Sequence, residues 1–231
     1  MWSGREAVLL AATFVLVSVA QFMIFRFAPT EQVQGEVQRL FYVHISLAWL
    51  AYSSFFLVFL GGVLYLWRHG QKWDRLARSA ATIGVVLTTL VLITGSLWGR
   101  RVWGVFWTWD ARLTTTLVMW FIYVGYLMLR DYVADPERRR RLAAVVGIVG
   151  FIDIPINFLS VYWWRTLHPT PTVIRSSGPG LPGAMLATLL VSVVAFTLLY
   201  VVLIRSQVGL ESAVDELEEL KVRRAAGGGD Y

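Results

Sequence analysis

Trp98-Gly99-Arg100-Arg101-Val102-Trp103-Gly104-Val105-Phe106-Trp107-Thr108-Trp109-Asp110 holds four of the chain's eleven tryptophans. It lies between two hydrophobic stretches, about residues 80–97 and 113–129. At 1.5 Å per residue, a run of roughly 20 apolar residues crosses the hydrocarbon core of a bilayer. The stretch therefore reads as a loop at a membrane surface. Aromatic side chains there form either a headgroup belt or one wall of a slot for a flat apolar ligand.

Working outward, four more apolar segments have the required length: about residues 7–25, 45–67, 142–161 and 181–204. With 57% hydrophobic residues and a mean hydropathy of +0.60, the chain is too apolar for an ordinary soluble domain. The fold class expected is an all-α integral membrane protein, a six-transmembrane helix bundle. The first segment is too long for a signal-peptide core and lacks a small-residue cleavage site after it, so it reads as a retained helix. The bundle domain is placed at residues 1–210 and a charged tail at 211–231. Glu219 and Arg223 in that tail have the i,i+4 spacing of a helical ion pair. The Gly227-Gly228-Gly229 run is expected to end its order. Short surface helices are expected at Glu31–Val43 and at Val161–Arg165. The second runs into a Pro-rich loop from Pro169 to Pro182.

Basic residues set the orientation. Fourteen of the 21 lysines and arginines fall at the amino terminus, in the loops after the second and fourth spans, and in the tail. The other seven are in the loops after the first, third and fifth spans. The bias places both termini in the cytoplasm and the Trp-rich loop on the outer, periplasm-like face. The net charge of +6 is thus topological and does not indicate nucleic acid. The absence of cysteine excludes disulfides, iron–sulfur ligation and thioether attachment of a cofactor to this chain.

Two of three histidines share the outer face with the Trp cluster: His44, at the start of the second span, and His168, between the fifth and sixth. His69 is a loop residue on the inner side. Imidazole is a good iron ligand. Two imidazoles on opposite faces of a planar macrocycle would give a six-coordinate b-type haem, with ring nitrogens ~4 Å apart. Arg39 and Arg112 are the nearby arginines suited to bidentate contact with haem propionates. Against this stands a plain aromatic belt with helix-end histidines. Asp153, just before Pro155, is an acid inside the fifth span and a functional candidate by that fact. It is equally able to pair with a backbone group freed by a proline kink.

Trp103-Gly104-x-x-Trp107-x-Trp109-Asp110-Ala111-Arg112-Leu113-Thr114 resembles the signature of the tryptophan-rich (WWD) haem-handling proteins of cytochrome c maturation. The Asp-Ala-Arg-Leu-Thr ending resembles the CcmC branch. Tyr42-Val43-His44-Ile45-Ser46-Leu47-Ala48-Trp49 is similar to that family's first histidine segment. Pro155-Ile156 with Ser160 to His168 is similar to its second. The likeness covers about residues 39–204 in order.

The resemblance implies haem b held at the periplasmic face of the bacterial inner membrane by His44 and His168 as axial ligands. Trp103, Trp107, Trp109 and Asp110 would shape the haem surface, grouped with Trp163 and Trp164 of the second segment, and Arg39 and Arg112 would take the propionates. It implies delivery to the haem chaperone CcmE beside the ABC transporter subunits CcmA and CcmB and the small protein CcmD, a handover and not a conventional enzymatic turnover. Phe106 departs from the pattern, standing where many relatives carry Trp. It keeps an aromatic face and loses an N–H donor. Two other classes stay open from the residues: an electron-transferring b-type cytochrome, and a haem-free transporter or scaffold subunit.

Overall fold

The computed structural model describes residues 4–168 and 180–227. Among them seven α-helices follow in order: α1 Gly4–Phe22, α2 Leu40–Arg68, α3 Gln71–Trp103, α4 Ala111–Tyr132, α5 Pro136–Gly150, α6 Asp153–Trp163 and α7 Gly183–Gly227. With α5 and α6 counted as one crossing, six helical segments are long and apolar enough to span a membrane. In hydrocarbon every backbone donor and acceptor must be satisfied within the chain, and helices do this locally.

α2 is the central column. It packs most extensively on α3 and also against α5 and α7, while α4 closes on α3, α5 and α6. α1 packs on α7 at the edge. Small residues let these helices approach. Ala77, Ala80, Ala81 and Ala143 line the main core around Phe55, Val58, Met119, Tyr123 and Tyr126. The Phe55 and Tyr123 rings stack at 3.6 Å between centroids.

Two local features differ in detail from the sequence expectation. The Glu31–Val43 region is not a separate surface helix: a tight turn, Glu36–Arg39, runs directly into α2. At the other site α6 continues to Trp163 and the chain turns extended at Trp164. The break near Pro155 lies three to four residues upstream of it, at Phe151 and Ile152, between α5 and α6. Pro155 thus occupies the first turn of α6, where its missing N–H is least costly. Both breaking residues keep right-handed helical dihedrals, so the crossing stays continuous in direction.

The start of α1 and the last part of α7 lie at one end of the bundle, where Glu6 approaches Arg205 and Asp215 approaches Arg75, and the Trp-rich loop between α3 and α4 lies at the other. At the terminal end, Arg130 donates to both oxygens of Asp74 at 2.7 and 2.6 Å, both residues being buried. Arg78 pairs with Glu211 at 2.9 Å and Arg75 with Asp215 at 3.6 Å, binding the lower part of α7 to α3. α7 passes unbroken through residues 210 and 211, and its Glu219 and Arg223 lie 3.9 Å apart. Residues 169–179 of the Pro-rich loop, with Arg175, and residues 228–231, with Gly228 and Gly229, lie outside the described residues.

Candidate functional site

α3 ends at Trp103 because Gly104 adopts a left-handed conformation (φ 79°), which a Cβ would oppose. The Arg100 guanidinium donates to the Gly104 carbonyl and lies 5.6 Å from the Phe106 ring. The turn delivers Trp107 and Trp109 edge to face, 5.5 Å between centroids, and then Asp110. Asp110 caps α4: its Oδ1 accepts the Leu113 N–H at 2.9 Å.

The same carboxylate has a second task. Its Oδ2 lies 3.2 Å from Nδ1 of His168, and the Asp110 side chain is only 7% exposed. A carboxylate only accepts, so the His168 Nδ1 carries the hydrogen and Nε2 presents the lone pair. Trp103 meets the His168 ring edge-on at 4.9 Å. Burial pushes the His168 imidazole below its ordinary value, against the opposing pull of Asp110. Burial alone would raise the Asp110 carboxyl. The Leu113 N–H, His168 and Thr166 outweigh it and hold the group lowered.

His44 is oriented in a parallel way. Its Nδ1 lies 2.9 Å from Thr94 Oγ1, and that hydroxyl donates its single hydrogen to the Leu90 carbonyl at 2.7 Å. The Thr94 oxygen must therefore accept, so Nδ1 of His44 is the donor and Nε2 is again left with the lone pair. Trp98 packs edge-on against the ring at 5.8 Å and donates its indole N–H to Gln34 at 2.7 Å. Gly95 leaves room for the ring, since a Cβ there would stand 3.1 Å from His44 Cε1. His44, His168 and Arg112 are close enough for their charges to interact.

The remaining sequence candidates divide by availability. Arg112 makes two long contacts, 3.4 Å to the Phe158 carbonyl and 3.4 Å to the Tyr52 hydroxyl, at the weak limit of hydrogen bonding. Arg39 is more engaged: its Nε lies 2.5 Å from Glu36, its other nitrogens reach the Ile24 carbonyl and Thr30, and its side chain is 16% exposed. Trp109, Trp163 and Trp164 stand exposed, the last two edge to face at 5.8 Å. Trp103 and Trp107 are half-buried, and the Trp107 indole N–H is enclosed without a partner among the described residues. Asp153 is buried in the first turn of α6, with Oδ2 likewise unpartnered among them.

Thr94 and Trp98, the neighbours that orient His44, are not legible as such from the sequence. The only signal is their i,i+4 spacing on α3, which puts them on one face.

This donor set fits one kind of iron. Among the described residues no group of three or more His, Asp or Glu side chains is placed to hold a bare metal ion. Two imidazoles with free Nε2 atoms, rimmed by aromatic faces, suit an iron that brings its own equatorial nitrogens. The loosely held Arg112 guanidinium is the group suited to meet a carboxylate.

Comparison with known proteins identifies the family. The family pattern described as CcmC, Heme exporter protein C, matches residues 2–223. The chain belongs to the heme exporter protein C family. Heme exporter protein C of Bradyrhizobium diazoefficiens is 39% identical over 94% of this chain and 84% of its own length. The Escherichia coli K12 protein of the same name is 37% identical, over 81% of this chain and 76% of its own. A putative cytochrome c biosynthesis ccmC-like mitochondrial protein of Marchantia polymorpha is 35% identical, over 78% and 75%.

Proposed function

We propose that this member of the family binds haem b at the Trp-loop end of the bundle and hands it on during cytochrome c maturation. His44 and His168 are the axial ligands. Trp103, Trp107 and Trp109, together with Trp163 and Trp164, form the aromatic walls, and Arg112 takes a propionate. Arg39 takes the other by exchanging its Glu36 partner for it. The Trp-loop end faces the periplasm from the bacterial inner membrane and both termini are cytoplasmic, a placement supported by the distribution of basic residues.

The observation that carries this reading is the matched pair of oriented histidines. Each donates through Nδ1, one to Asp110 and one to Thr94, and each offers Nε2. Metal-ligating histidines characteristically have their other nitrogen fixed in this way. Bound haem supplies an iron with two open axial positions; all else is done by the chain. The histidines hold the ring against oxygen chemistry, and the exposed indoles keep one edge accessible. Presentation of that edge to the chaperone CcmE is a proximity effect. CcmA, CcmB and CcmD are the assembly in which it works. A site at the bundle's end suits release, whereas an electron-transferring cytochrome more often places histidine pairs near the bilayer centre.

The test is the absorption and electron paramagnetic resonance spectrum of the haem-loaded protein. The parent gives a low-spin, six-coordinate signal, and His44→Ala and His168→Ala each lose it. Parent-like signals in both variants would remove the ligand assignment, and absence of haem binding by the parent would remove the function.

A further inference from the structure

Beneath the two histidines lies a buried polar knot centred on Asn157. This residue is fully buried on α6, within the membrane-spanning segment. Its Nδ2 lies 2.7 Å from Thr115 Oγ1, 2.9 Å from Thr116 Oγ1 and 3.1 Å from the Arg112 carbonyl. Both threonine hydroxyls already donate to backbone carbonyls, at 2.8 Å each, so their oxygens are acceptors for the amide. The Asn157 Oδ1 accepts from the Tyr52 hydroxyl, and that hydroxyl oxygen faces the Arg112 guanidinium at 3.4 Å. One amide thus uses its donors and its acceptor to join α2, α4 and α6.

Each of these helices carries one part of the candidate site. Tyr52 lies eight residues beyond His44 on α2, about 12 Å along the axis. α4 starts at the Asp110 cap, and α6 ends five residues before His168. An apolar side chain would fill the same space at less desolvation cost. A satisfied buried network instead specifies register among the elements it joins.

We propose that Asn157, acting with Tyr52, is a positioning residue that fixes the relative placement of His44 and His168 and aims the Arg112 guanidinium at the ligand between them. This rests on the bis-histidine reading above. Neither residue touches the haem, and each acts through the helix ends it ties.

The experiment compares haem-loaded parent, Asn157→Ala, Tyr52→Phe and a packing control, Val58→Ala, a core truncation on α2 that removes none of the knot's hydrogen bonds. In Asn157→Ala, haem retention falls about tenfold, as for other residues that orient ligands. A high-spin signal absent from the parent appears at the same time. Tyr52→Phe, which keeps its ring, shows the same signal more weakly. Val58→Ala melts earlier and keeps the low-spin spectrum.

A haem-free readout comes from spin labels on cysteines introduced at exposed Trp49 and Tyr162, since the chain has no cysteine of its own. Their distance distribution is narrow in the parent and broad in Asn157→Ala. A parent without the low-spin signal overturns the ligation reading and this inference with it. A low-spin parent whose Asn157 and Tyr52 variants keep both spectrum and distances overturns this inference alone, as does a high-spin signal in Val58→Ala.

Discussion

The two ends of the bundle spend their polar groups in opposite ways. At the terminal end, charges are consumed by one another. Arg130 and Asp74 form a buried two-bond pair, with Arg140 3.8 Å from the same carboxylate, and the Tyr65 hydroxyl donates to Glu137 at 3.0 Å. At the loop end, polar groups are fixed on one side and left open on the other. His44 and His168 are each held through one nitrogen, and Trp109 is 75% exposed. A closed end serves as anchor, and an end of half-satisfied groups is prepared for something to arrive. Substitutions at the first should therefore be read in stability and at the second in ligand chemistry.

The largest effect is expected at the anchor. Asp74→Ala leaves the Arg130 guanidinium buried without its carboxylate. Breaking one partner of such a pair costs about 3–5 kcal/mol. Thermal unfolding should show that loss, while the fraction that survives purification keeps the parent haem spectrum. The double variant Asp74→Leu/Arg130→Met should recover much of the stability, because no charge is left buried alone. A changed haem spectrum in either would mean that the two ends are not separable.

At the loop end the most informative change is Asp110→Asn. The amide still caps α4 but no longer presents a carboxylate to His168. Haem affinity near pH 8 should fall about tenfold with little change in unfolding temperature. The pH dependence sharpens this. Burial lowers His168, so its neutral, ligating form persists as pH falls through the ordinary value of 6.5 and is lost only below it. The Asp110 carboxylate opposes that lowering. Its removal should therefore lower the titration midpoint of the His168 imidazole in the haem-free protein, read by nuclear magnetic resonance. A midpoint that moves up would show that Asp110 does not face a titrating His168.

The sequence carried the fold because membrane burial leaves a coarse signal. Six apolar runs and the bias of basic residues need no tertiary detail, and all six runs are helices long and apolar enough to span. His44, His168 and the Trp loop were legible through type and side together. What orients them was not. Thr94 and Asn157 are ordinary polar residues within apolar helices, and their meaning comes from partners 50 and about 40 residues away. Asp110 was legible as a motif residue, yet its double use as helix cap and histidine partner required the return of the chain 58 residues later.

The smallest effect is expected at Phe106, where the chain departs from the Trp-rich pattern. Its ring is 57% exposed and meets the Arg100 guanidinium at 5.6 Å. An indole is the better partner for a cation, in an interaction worth in all ~0.5–1 kcal/mol at an exposed site. Phe106→Trp should thus firm the turn that starts at Gly104 without altering haem affinity, because the position needs an aromatic face and no donor. Proteolysis of the loop should slow slightly while haem titration overlays the parent. A gain in affinity would instead place an indole N–H at this position among the ligand's contacts, and would extend the half-satisfied character of the loop end one residue further toward its surface.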